Sequence, residues 1–170
     1  MKRKISVITL FILFVNSTAC TTPLSRTAPS IGIDPALTAA LAAKQACEQM
    51  GFAVAVTVVG RHTEPVVLIV SDNAFAHAVE TSQRKAVTAA SRRVDTSLVA
   101  AAAKEDSELG PAFHAVGLTT LSGGLPLQQE NAIIGGIGVA GAPGQTPGGR
   151  DHDSQCAEAG LKAIGLVQTD

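Results

Sequence analysis

Four histidines and three cysteines carry most of the chemistry that this chain can offer. His77 is followed at seven and eight residues by Arg84 and Lys85. On a helix these three side chains fall within about a right angle of one another, so one face would present an imidazole beside two cations. The competing reading is a solvated surface histidine, the commoner state for a lone His. His114 stands beside Phe113 after Gly110-Pro111, where a connection can supply a ligand or simply an ordinary loop histidine. His62 falls at a hairpin tip. Asp151, His152 and Asp153 could hold a divalent ion loosely, although adjacent residues seldom converge on one metal. Cys47 and Cys156 have no partner Cys or His pair at zinc spacing, which leaves core thiols or one disulfide as the readings. Gly123-Gly124 and Gly135-Gly136-Ile137-Gly138 are not followed by a helix, and no Walker lysine accompanies them, so there is no nucleotide fingerprint. Close backbone approach, at a ligand or a subunit contact, explains them better. No serine sits in a Gly-x-Ser-x-Gly elbow. Asp72, Glu130 or His77 could serve as an acid or base, but no catalytic constellation stands out.

The first twenty residues are organised differently from the rest. Lys2, Arg3 and Lys4 precede an uncharged run from Ile5 to Val15, and Ser17-Thr18-Ala19 lead to Cys20. That run is too short to span a bilayer and reads as the core of an export signal. Ser17-Thr18-Ala19-Cys20 resembles a bacterial lipobox with Ser17 in place of an aliphatic residue. Lipidation at Cys20 is the expectation, with plain cleavage near Ala19 as the alternative. The expected location is periplasmic or anchored to the outer membrane through the lipid alone. Residues 21–33 are rich in Ser, Thr and Pro and read as a flexible tether. Beyond residue 20, ten basic and fourteen acidic residues leave a formal charge of −4. With only Phe52, Phe75 and Phe113 as aromatics there, nucleic-acid binding and aromatic sugar stacking are excluded. In an oxidising compartment Cys47 and Cys156 form the only even pair.

The elements that must position these residues follow from periodicity. Asp34-Pro35 reads as a helix start, with an apolar face running to Met50. Phe52–Val59 and Pro65–Val70 form a hairpin. Helices are expected over about 75–94 and 97–104, strands over Leu118–Leu121, Leu125–Gln128 and Ala132–Val139, and a last helix capped by Asp151 or Asp153. The sum is an α+β domain with a five-stranded antiparallel sheet flanked by helices. If the first and last helices lie antiparallel on one face, Cys47 and Cys156 come within reach of each other.

The Ala-rich first helix, the hairpin from Ala53 to Val70, the run Arg84–Ala89, the segment Leu121–Leu127 and the run Ile134–Gly141 occur in that order. Together they resemble the GlcG/HbpS family, which includes the C-terminal domain of PduO-type proteins. The resemblance spans about residues 34–167. It implies a profilin-like or roadblock-like fold, assembly as a homo-oligomer, and binding of haem or a related tetrapyrrole. The family's Asp and Gly in the first hairpin turn are replaced here by Gly60-Arg61-His62-Thr63-Glu64. Haem needs an axial ligand and cations for its propionates. The resemblance therefore gives His77 or His114 as the iron ligand, and Arg84 and Lys85 as propionate partners. It also sets Lys85 and Thr88 in one pocket with Gly123, Gly124 and Pro126. Relatives described as haem-degrading raise the question of turnover; an enzyme is the less expected outcome. The rival readings are a small-molecule enzyme or sensor using the same pocket, and an oligomeric scaffold without ligand.

Overall fold

The computed structural model describes residues 28–167. The expected export signal, Cys20 and the first part of the expected tether lie outside the described residues. Its last part is built into the domain: the Ile31 amide donates to the Ile134 carbonyl (2.8 Å), and the Ile31 side chain is buried.

Helix α1 (Ile33–Gln49) buries Ala36, Ala39, Ala40, Ala43 and Cys47, steps of three and four residues that make one face of small side chains. Gly32 is its N-cap, and Asp34 sits inside the first turn rather than capping it. Strands β1 (Ala55–Gly60) and β2 (Pro65–Val70) pair antiparallel, their turn closed by the Gly60 amide on the Glu64 carbonyl at 2.8 Å. Helix α2 (Ala78–Arg92) starts later than the periodicity suggests, because Phe75–Ala78 forms a turn and leaves His77 as N-cap. Helix α3 (Thr96–Glu105) is capped by Asp95, whose carboxylate accepts the Ser97 amide. The connection around Gly110-Pro111 is itself a short helix, α4 (Leu109–Ala115), with Pro111 tolerated in its first turn. Strands β3 (Gly124–Gln129) and β4 (Ala132–Ala140) follow. Helix α5 (His152–Ala163) closes the domain, with Asp151 as N-cap accepting the Ser154 amide at 2.8 Å.

The sheet has four antiparallel strands in the order β2-β1-β4-β3, which corrects the expectation of five. Leu118–Leu121 is irregular. The Thr119 amide donates to the Thr88 hydroxyl (2.9 Å) and the Leu121 amide to the Thr119 hydroxyl (3.2 Å). Side chains thus satisfy those backbone groups, and no ladder is needed.

Helix α2 covers one face of the sheet, and α1 and α5 cover the other. Strand β1 is buried on both sides and divides its residues by parity. Val56 and Val58 join the main core under α1 and α5. Ala55 meets Ala78, Val59 meets Ala86 and Ala90, and the Thr57 hydroxyl bonds that of Ser82 at 2.8 Å under α2. Two of the β4 glycines serve this second interface, while Gly135 packs toward Ile31 and Leu127 of the main core. A Cβ at Gly136 or Gly138 would run into the Ala86 or Ser82 carbonyl, so the backbone they approach is that of α2, not a ligand or a second subunit. On the opposite face, Cys47 of α1 and Cys156 of α5 form a disulfide with Cα atoms 5.5 Å apart.

Candidate functional site

Helix α2 carries Lys85 into the interior at the end of β4, where only 5% of its side chain is exposed. Its Nζ donates to the Val139 carbonyl (2.8 Å) and to Asp153 Oδ2 (2.6 Å). Asp153, in the first turn of α5, accepts the Ala142 amide on its other oxygen at 2.9 Å. Burial pushes the Asp153 carboxyl above its ordinary range, and the attraction of Lys85 with the two hydrogen bonds offsets only part of that. Gly123 makes this meeting possible. Its φ of +106° favours glycine, and a Cβ there would lie 2.6 Å from that of Asp153 and 2.9 Å from Lys85 Nζ.

Lys85 and Asp153 form the floor of a cleft of about 620 Å³. Phe75, Leu121, Ala140, Ala142 and Pro143 give it apolar walls, while His77, Thr81, Ser122, Gln145 and Asp151 add polar groups. The rings of Phe75 and His77 stack with centroids 5.6 Å apart, and both residues are exposed. The cleft therefore combines an accessible imidazole, an apolar slot and a buried ammonium.

Of the residues expected to bind a ligand, the structure brings His77 and Lys85 into one cleft, with Gly123 packed against Lys85. Arg84 turns outward to pair with Glu80 (2.7 Å) and does not line it. Thr88 is fully buried, donating to the Arg84 carbonyl at 2.7 Å while accepting the Thr119 amide. Gly124 lies against the Lys85 backbone, and its amide bonds the Thr96 hydroxyl at 2.8 Å. Pro126 lines a different cavity, of about 590 Å³, with Arg93, Leu98 and Arg150. His114 is exposed on α4, outside the cleft. His62, also exposed, stands in the β1–β2 turn.

The acidic run 151–153 separates rather than converges. Asp151 caps α5, Asp153 holds Lys85, and the His152 ring packs on Phe52 (5.0 Å) with Nδ1 at 2.9 Å from the Pro143 carbonyl. Among the described residues no three metal-ligating side chains gather. Sequence reasoning missed Asp153 as the partner of Lys85, together with the walls supplied by Phe75, Leu121 and residues 140–145. Lys85 and Asp153 stand 68 residues apart, and no local pattern links them.

A family model described as "Haem degrading protein HbpS-like" matches residues 31–162. The chain belongs to the HbpS-like family. Among solved structures, HbpS is 33% identical with a TM-score of 0.75, over 86% of this HbpS-like chain and 99% of that one. A double mutant of HbpS from Streptomyces reticuli is 32% identical with a TM-score of 0.74, over 86% and 95% of the two chains. The structure described as a PduOC:haem complex is 21% identical with a TM-score of 0.72, over 83% and 99%, and speaks to the fold alone. A search of the curated proteins gives no match.

Proposed function

We propose that this protein binds haem or a related tetrapyrrole in the Lys85–Asp153 cleft, as an exported and lipid-anchored homo-oligomer. The observation that carries the reading is the meeting of His77, Phe75 and Lys85 in one cleft of about 620 Å³. A haem requires an apolar slot, an iron ligand and a cation for its propionates, and the residues present fit that list. His77 is the ligand in this reading. Lys85 is the cation, its charge shared with Asp153 and one of its three N–H donors left for a propionate, and Phe75, Leu121 and Pro143 are the walls. Bound haem would supply redox or ligand-binding chemistry at its iron. This chain's residues hold, orient and partly shield it. The family description supports the choice of ligand. Export is supported by the basic start, the apolar run and Cys20 of the sequence, and by a buried disulfide suited to an oxidising compartment. Self-association is supported by the uncharged edge strand β2, on which Leu68 and Val70 are exposed.

Haemin titration followed by absorbance tests the ligand. The expected result is a saturable Soret shift that His77→Ala abolishes or displaces and His114→Ala leaves intact. A shift lost only in His114→Ala would move the iron ligand out of the cleft. The absence of any saturable shift would remove the haem reading.

A further inference from the structure

A second site lies at the other end of α2. The β1–β2 turn brings Arg61, His62 and Thr63 to one side of a depression, and the end of α2 brings Ser91 and Arg93 to the other. With Ala90 and Ile133 they line a pocket of about 320 Å³. His77 is the N-cap of α2 and Arg93 its C-cap, so the full length of the helix separates this pocket from the mouth of the haem cleft.

The lining holds three basic side chains and no carboxylate. Elsewhere, Lys44, Arg84, Lys85 and Arg150 each pair with an acid at 2.6–2.7 Å, whereas the exposed Lys104 and Lys162 do not among the described residues. Arg61, His62 and Arg93 make no ion pair among the described residues. Arg61 is also held in place. Its Nη1 donates to the Ile133 carbonyl at 2.8 Å, which fixes the guanidinium and leaves its other N–H groups for a ligand. The acid nearest in sequence, Glu64, is engaged on the turn itself. Hydrogen bonds from its own amide, the Ser30 hydroxyl (3.1 Å) and the His62 amide (2.9 Å), together with attraction to the His62 side chain, hold its carboxyl below the usual range.

Arg61 and Arg93 both line this pocket, and like charges sharing one depression favour an anion between them. Forked N–H donors beside hydroxyls also match the oxygens of a tetrahedral oxyanion. We propose that this pocket binds a phosphate dianion, either inorganic phosphate or the phosphoryl group of a small monoester. Arg61 and Arg93 clamp it, and His62, Thr63 and Ser91 supply further donors. The cations come from the hairpin turn and from the helix end, so the fold assembles the site rather than any single element.

Calorimetric titration of the purified protein with inorganic phosphate and with glycerol 3-phosphate, at constant ionic strength, tests this. Saturable binding is expected, weakened about tenfold by Arg93→Gln and by Arg61→Gln, as for loss of one charge-assisted hydrogen-bond donor. Lys162→Gln, on the exposed end of α5, is the control and leaves affinity unchanged. Arg61 also ties the turn to β4, so Arg93→Gln, which removes no side-chain hydrogen bond among the described residues, is the deciding variant. Tighter binding of glycerol 3-phosphate identifies a monoester site; tighter binding of inorganic phosphate identifies a free-anion site. No saturable heat with either probe, or affinity unchanged by Arg93→Gln, overturns the proposal. Haemin binding plays no part in this readout, so the two sites stand or fall separately.

Discussion

Where Lys85 reaches Asp153, two charges meet largely out of water, and desolvation outweighs attraction in setting the state of the carboxyl. Replacing Asp153 by Asn would leave the ammonium buried without its counter-ion. The expected cost at neutral pH is about 3 kcal/mol, the scale for breaking a buried pair from one side. Urea unfolding of Asp153→Asn measures it, and Lys85→Met in the same background recovers part of the loss. The pH dependence has a definite sign. The folded carboxyl binds its proton more tightly than the unfolded one, whose ordinary value is 3.8. Its contribution to stability is therefore full below 3.8 and is lost as the pH rises through the raised folded value. At this scale the sequence was partly legible. A helical step from His77 to Lys85 survives in the cleft, because both lie along the α2 face that opens there. The same arithmetic misled for Arg84, since a solvent-side Glu80 one turn earlier is a nearer partner than any ligand.

Helix α2 rests on β4 at a distance that only residues without side chains permit. A Cβ at Gly138 would meet the Ser82 carbonyl, the Ala86 amide and, at 3.0 Å, the Cβ of Lys85. The first two are helix backbone and cannot swing aside, so Gly138→Ala must lift α2 from the sheet. Overpacking of this kind costs about 1–3 kcal/mol. Because Lys85 rides on the displaced segment, haemin affinity should fall with it. Thermal unfolding and haemin titration of Gly138→Ala check both, and a variant with unchanged stability would mean that the interface is looser than the structure has it. The glycines drew attention in the sequence, yet their neighbour did not, since which backbone approaches a strand depends on a helix some fifty residues earlier. Hairpin β1–β2 was readable because its β-branched runs are separated by a short turn. Leu118–Leu121 looked equally strand-like. Its apolar and threonine residues satisfy strand propensity, but the Thr88 and Thr119 hydroxyls capture the amides that a ladder would need.

Across the whole molecule, one disulfide among the described residues ties together the two helices that cover the same face of the sheet. The Cys47–Cys156 bond joins the end of α1 to the start of α5 across 109 residues, and both cysteines are fully buried. Closing a loop of that length restricts the unfolded chain, worth about 4–5 kcal/mol in the chain-entropy treatment. The element order made proximity of the two helices a natural arrangement. What it did not contain was the fit that lets them close: at Gly160, an added Cβ would sit 2.7 Å from the Ala39 carbonyl. Asp153 lies one turn before Cys156 on α5, so the crosslink also braces the helix that forms part of the cleft floor. The double variant Cys47→Ser/Cys156→Ser should unfold at lower urea, with a loss of about 4 kcal/mol. A dithiol added to the folded wild type should act slowly, because neither sulfur meets solvent until α1 and α5 part. The rate of thiol labelling under reductant should then follow the opening of that helix pair and rise with urea. Equal stability of the double variant and the wild type, or labelling as fast as for an exposed disulfide, would show that α1 and α5 hold together without the bond.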